Sequence, residues 1–139
     1  MAAQAMSRLV DTSVRSSLKL TSRQWRILVV LNHLGTANSG EVAKTAGFDH
    51  SQVSRVAAEL TSLGLAVQRM DDTDRRKQVL TLTEKGMETV RQGLPYSMHR
   101  EHQLRSRLTE TEYATFCHAL AILTEETNAM LENERKYQP

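Results

Sequence analysis

Three aspartates, Asp71, Asp72 and Asp74, stand beside Arg75, Arg76 and Lys77 in the stretch MDDTDRRKQVLTLTEKG at residues 70–86. A guanidinium group binds oxyanions through a flat fork of N–H donors, and a neighbouring carboxylate can hold that fork in one orientation through a bidentate pair. Arg55 and Arg69 add positive charge nearby, whereas Glu125, Glu126, Glu132 and Glu134 gather towards the C-terminus. A second set, Ser51, Gln52, Ser54 and Arg55, brings hydroxyl, amide and guanidinium groups to one side of a helix or its edge. Groups of these types hydrogen-bond to base edges and phosphates.

Other chemistries find little support. The sequence has no phosphate-cradling glycine loop, nucleophile elbow or HExxH, so no enzyme is expected. Cys117 and His118 are adjacent, and neighbours on a helix point about 100° apart, which suits no catalytic dyad. His99 and His102 lack a clear third ligand, so no metal or other cofactor is assigned. The single cysteine, Cys117, cannot close an internal disulfide and fits a reducing compartment. It is read as a buried small apolar residue, with a redox-active thiol as the alternative.

The elements that must position these groups are legible from their ends. Short polar residues are followed three positions on by Glu or Gln, the reciprocal pairing that satisfies free N–H groups at a helix start. Thr21 with Gln24, Asn38 with Glu41, Asp49 with Gln52 and Thr109 with Glu112 mark four starts, and Thr83 with its early glutamate marks a fifth. Leu20 and Trp25 occupy the positions of a hydrophobic staple on the first of these. Gly47 and Gly64 are placed as C-terminal stops. Between Gly64 and Thr83 the period shortens to two, so LAVQRM and KQVLTLT read as strands of a hairpin joined by the loop DDTDRR. Pro95, after Gly93 in a helical stretch, predicts a kink or a break. The order is helix, helix, short helix, helix, hairpin, then two long helices: a helix-turn-helix followed by a β-wing.

At about 100° per residue, Val53, Val56, Ala57, Leu60 and Leu63 form one inward arc of the fourth helix. The opposite arc carries Ser51, Ser54, Arg55, Ala58 and Ser62, with Gln52 at its edge. A solvated face would more often carry Lys and Glu; small side chains let this one sink into a major groove. Tyr113, Phe116, Cys117, Leu120, Leu123, Met130 and Leu131 make an apolar stripe on the last helix, and Leu9, Val14 and Leu18 another on the first. One subunit offers too little surface to cover both, which predicts helix exchange in a homodimer. At 139 residues the chain fits one domain. It has no apolar run of membrane-spanning length and no export signal, which leaves the cytoplasm and no membrane partner.

Taken together, LTSRQWRILVVL and EVAKTAGFDHSQVSRVAAELTSLGLAVQRMDDTDRRKQVLTLTEKG, within positions 20–86, resemble the MarR family of winged helix-turn-helix transcriptional regulators. The resemblance implies a mainly α fold with a small β-hairpin wing: residues 20–86 as the DNA-binding part of a single 1–139 domain, and 1–19 with 87–139 as helices of an obligate dimer. It implies double-stranded DNA with a pseudo-palindromic operator as partner, Ser51, Gln52, Ser54 and Arg55 on the recognition helix, and Asp74, Arg75 and Arg76 in the wing. One wing arginine would enter the narrow minor groove, and the other would pair with Asp71, Asp72 or Asp74. Trp25 and His33 lie on the helix that lines the family's effector pocket, although core packing is the preferred reading of Trp25. The expected function is a repressor released by a small effector, aromatic or phenolic; redox- or metal-responsive regulation and an effector-free architectural role are the alternatives.

Overall fold

The structure is a computed structural model that describes residues 1–71, 74 and 77–137. Its elements are α1 (Ala2–Leu18), α2 (Ser22–Leu34), β1 (Ala37–Asn38), α3 (Ser39–Ala46), α4 (His50–Ser62), β2 (Ala66–Met70), β3 (Gln78–Leu82), α5 (Glu84–Arg105) and α6 (Glu110–Tyr137). Each anticipated helix start is closed by the bonds its sequence proposes. Thr21 Oγ1 accepts from the Gln24 amide at 3.2 Å while Gln24 Oε1 accepts from the Thr21 amide at 2.9 Å. Asn38 with Glu41, Asp49 with Gln52 and Thr109 with Glu112 repeat the reciprocal pair. At the fifth start, Thr83 Oγ1 accepts from the Gly86 amide at 3.0 Å and donates to the Gly64 carbonyl at 2.7 Å. Each such cap stabilises a helix by about 1 kcal/mol.

The core of the winged unit forms where the apolar arcs of α2, α3 and α4 meet β3. Ile27, Leu28, Leu31, Val42, Val53, Leu60 and Leu80 are essentially inaccessible to solvent. Full burial of one such side chain contributes about 1.5–3 kcal/mol. Leu20 and Trp25 join the same cluster, as their staple positions require. Gly93 of α5 passes so close to Trp25 that an added Cβ would sit 2.4 Å from a ring carbon. Leu63 departs from the expected inward arc and is 43% exposed. It is the C-cap residue of α4, and the left-handed Gly64 that follows, at φ +70°, redirects the chain. Leu65 then takes the inward place, at 4% exposure.

The hairpin is antiparallel and pairs Ala66 with Leu82 through Met70 with Gln78. Its strands are slightly shorter than the sequence suggests, β2 ending at Met70 and β3 beginning at Gln78. A third strand, β1, lies on the other side of β3, with Ala37 opposite Leu80 and Asn38 opposite Val79. Two residues are too few to show a period, and Asn38 already serves as the N-cap of α3, so sequence pattern carries no trace of this strand.

Pro95 lies inside α5, which continues to Arg105 without a break. The interruption appears instead in the packing: the chain divides into two compact units, Met1–Pro95 and Tyr96–Pro139. A proline removes one donor of the helical ladder, a loss that the hydrogen-bonded turns on either side absorb. Upstream, Val90 and Gly93 are buried; downstream, from Tyr96 to Arg105, no residue is. The N-terminal stripe also divides. Leu9 is 46% exposed, but Val14 is buried at 2% and Leu18 packs against the core of its own chain, so these two need no second subunit. Among the described residues no helix is long and apolar enough to cross a membrane.

Candidate nucleic-acid interface

Two short helices joined at Gly47 and Asp49 set up the reading surface. Gly47 ends α3 in the left-handed conformation, φ +68°, which costs glycine little. Asp49 caps α4 two residues later. Burial of Val53, Val56, Ala57 and Leu60 fixes the rotation of α4 about its axis, and Ser51, Ser54, Arg55, Ala58 and Ser62 are exposed as a consequence. Within this arc Arg55 Nη2 reaches Ser51 Oγ at 3.4 Å. Gln52 is half-buried, and its Oε1 accepts from the Asp49 amide at 3.2 Å. Its amide nitrogen is therefore the group it can offer outward.

In the wing, Val67, Gln68, Arg69 and Met70 of β2 are all exposed, and Gln68 Nε2 donates to Gln78 Oε1 across the hairpin at 2.6 Å. The described aspartates shape the turn. Asp71 Oδ1 accepts from the Asp74 amide at 2.8 Å, and the Asp74 carbonyl accepts from the Lys77 amide at 2.8 Å. Asp74 Oδ2 lies 3.9 Å from Lys77 Nζ. Arg75 and Arg76, with Asp72 and Thr73, lie outside the described residues.

The residues expected at an effector site do not come together. Trp25 is 6% exposed and lines one edge of a half-apolar cavity of about 730 Å3 with Val10, Val29, Val30 and Phe48. Arg23 and Arg26 supply its positive charge, and the Arg26 guanidinium stands 5.7 Å from the centre of the Phe48 ring. His33 is exposed and lines no part of this cavity. Sequence reading passed over Arg23 and Arg26; they flank Trp25 at positions that a search for aromatic and histidine residues does not weigh.

In the second unit, Cys117 is exposed, contrary to the reading of a buried apolar thiol. The cause is its helix: apart from the half-buried Tyr113, every α6 residue whose burial is described is exposed. The Cys117 thiol, hydrogen-bonded to the Tyr113 phenol, pushes that phenol's pKa up. Arg105 lies over the Tyr113 ring at 4.6 Å and binds both oxygens of Glu110, at 3.2 and 3.0 Å. No group of three metal-ligating side chains forms among the described residues.

Residues 18–77 match the sequence model of the MarR family. The transcriptional repressor MprA of Escherichia coli is 40% identical over 72 residues, which make up 52% of this chain and 41% of that repressor. The aligned stretch thus spans less than half the length of that curated relative. Among solved structures, Bordetella bronchiseptica BpsR, described for regulation of its DNA binding by 6-hydroxynicotinic acid, superposes with a TM-score of 0.80 at 25% identity over 88% of this chain and 87% of its own. A MarR-family regulator of Streptomyces coelicolor in complex with DNA gives a TM-score of 0.85 at 23% identity, over 90% and 80% of the two chains. The S. aureus MepR–DNA complex gives 0.82 at 22% identity, over 91% and 93%. The last two likenesses speak to the winged-helix fold.

Proposed function

We propose that the chain, whose residues 18–77 match the model of the MarR family, is a sequence-specific DNA-binding transcriptional regulator, a repressor released by a small aromatic acid. The observation that carries the reading is the outward arc of α4: small side chains, three serine hydroxyls and Arg55, all exposed. A face of this kind admits close approach to a groove, and Ser51, Gln52, Ser54 and Arg55 supply the donors and acceptors for base edges and phosphates. The wing extends the contact, with one of Arg75 and Arg76 in the minor groove and Asp74 on the turn that carries them. DNA-bound relatives of the same fold, and a relative named as a repressor, support the assignment.

The protein acts as a homodimer in the cytoplasm, reads a pseudo-palindrome and catalyses no reaction. Phe116, Leu120, Leu123, Met130 and Leu131 on α6 are each between 46% and 62% exposed. An apolar row of that size on one helix supports burial against a second copy. The 730 Å3 cavity supports the effector: an apolar wall that includes Trp25 and Phe48 suits an aromatic ring, and Arg26 suits its carboxylate. BpsR, a structural relative regulated by 6-hydroxynicotinic acid, supports the chemical class. The cavity is walled by α1 and α2, and α2 packs on α4, so occupancy there would change the separation of two reading helices relative to the half-sites. The exposure of Cys117 favours oxidation as a second input.

The test is a mobility shift on the DNA upstream of the chain's own gene, repeated with phenolic acids and with peroxide. Retardation that a phenolic acid reverses supports the reading; failure to retard any palindromic duplex at low salt overturns it.

A further inference from the structure

A polar cleft of about 520 Å3 opens between α1, the start of α2 and the flank of α4, within the first compact unit. Four arginines from three helices line it: Arg8 and Arg15 from α1, Arg23 from α2 and Arg55 from α4. It holds two carboxylates, Asp11 and Glu59, so positive charge is in excess by two. Both carboxylates are engaged. Asp11 accepts from Arg15 Nε at 2.9 Å and from the Ser22 amide at 3.2 Å, and Glu59 accepts from Gln24 Nε2 at 2.8 Å. Arg8 and Arg23 pair with no carboxylate among the described residues, and Arg55 meets only the Ser51 hydroxyl. Hydroxyls of Ser7, Thr12 and Ser22 complete the lining, and Val56 is its one apolar member.

A recess lined with unsatisfied guanidinium forks and hydroxyls matches an oxyanion rather than an aromatic ring. Its geometry also distinguishes a small molecule from a duplex. Gln52, Arg55, Val56 and Glu59 face the cleft, an arc centred about 90° round α4 from the exposed serines at 100° per residue. Arg55 belongs to both arcs, and Gln52 lies at their shared edge.

We propose that this cleft binds a small polyanionic metabolite, phosphorylated or polycarboxylic, through Arg8, Arg23 and Arg55, and that occupancy draws Arg55 away from the DNA-reading arc of α4. The binding site stands independently; its regulatory consequence rests on the function proposed above.

Pyrophosphate and citrate, titrated calorimetrically into the DNA-free full chain at matched ionic strength, test the site. Saturable binding of at least one is expected, weakened roughly tenfold or more in Arg8→Ala/Arg23→Ala as two charge-assisted contacts are lost. The better binder assigns the phosphorylated or the polycarboxylic class. Absence of saturable binding of both, or equal binding by a variant that melts like the parent, overturns the site. The regulatory half is read on a duplex selected from a random pool. The saturating anion should lower the parent's DNA affinity roughly tenfold, and leave that of the double variant unchanged, through competition for one charged contact. Unchanged DNA affinity with anion bound overturns the link through Arg55. Weaker DNA binding by the double variant in the absence of anion would make the cleft a duplex phosphate contact and overturn the proposal. A chain that binds the anion but no duplex overturns the regulator reading and leaves the site standing.

Discussion

α4 and α6 are both amphipathic helices, yet they present opposite faces to solvent. On α4 the apolar residues Val53, Val56, Ala57 and Leu60 are buried and the polar arc is exposed. On α6 the exposed residues include Phe116, Leu120, Ile122 and Leu123. The difference follows from what each helix meets. α4 packs against α2, α3 and the sheet of its own unit, whereas the apolar residues of α6 are exposed. One helix is completed by folding, and on the reading proposed above the other would be completed by association.

The sharpest way to break this contrast is to charge the row on α6. Leu120→Glu with Leu123→Glu should cost self-association several kcal/mol, because each carboxylate would have to be buried without a partner. Sedimentation should report dimers for the parent and single chains for the variant; a parent already monomeric at micromolar concentration would end the argument. On α4 the complementary change is Leu60→Ala. It should lower unfolding stability by about 2–5 kcal/mol through cavity formation, seen as a lower denaturant midpoint. A loss below about 0.5 kcal/mol, the range of surface substitutions, would mean that α4 is not seated as described.

A smaller effect is expected on the exposed arc. Arg55→Ala should leave the melting transition unchanged and weaken binding to a selected duplex by about 1–3 kcal/mol, with less discrimination against altered base pairs. Equal weakening on every sequence would demote Arg55 to a phosphate contact. The mildest test concerns the junction of α1 and α2. The Arg15 guanidinium, helped by the Ser22 amide, holds the Asp11 carboxyl below its ordinary value of 3.8. A carboxyl with a depressed folded pKa stabilises the fold above its unfolded value and loses that contribution as pH falls through the folded value. The Ser22 amide resonance should therefore titrate with a midpoint below 3.8, and Asp11→Asn should abolish the titration. A midpoint at or above the ordinary value would remove the contact.

Local signals were read well because local physics carries them. Thr21, Asn38, Asp49 and Thr109 cap helices in the structure because a free N–H three residues on needs an acceptor wherever the helix sits in the fold. The strands β2 and β3 and the inward arc of α4 were legible for the same reason, although burial along the strands does not alternate. The misreadings share a non-local cause. Leu63 obeys the helical period but falls at the turn set by Gly64, Cys117 sits on a helix with no covering surface, and β1 exists only because β3 runs alongside it. Of the candidate site, the exposure of Ser51, Ser54 and Arg55 on α4 followed from periodicity. The arginines at positions 8, 15 and 23 were missed, because they are dispersed along the chain and converge only in the fold.

Sequence alone determined the capped helices, the hairpin and the rotation of α4, since capping bonds and apolar periods act within a few residues of one another. Only tertiary structure decided that Val14 would be buried while the α6 row stayed bare, that α5 would run on through Pro95, and that arginines from α1, α2 and α4 would share one cleft. Those outcomes depend on which surfaces meet across long stretches of chain, and burial and field strength are properties of that meeting rather than of any segment.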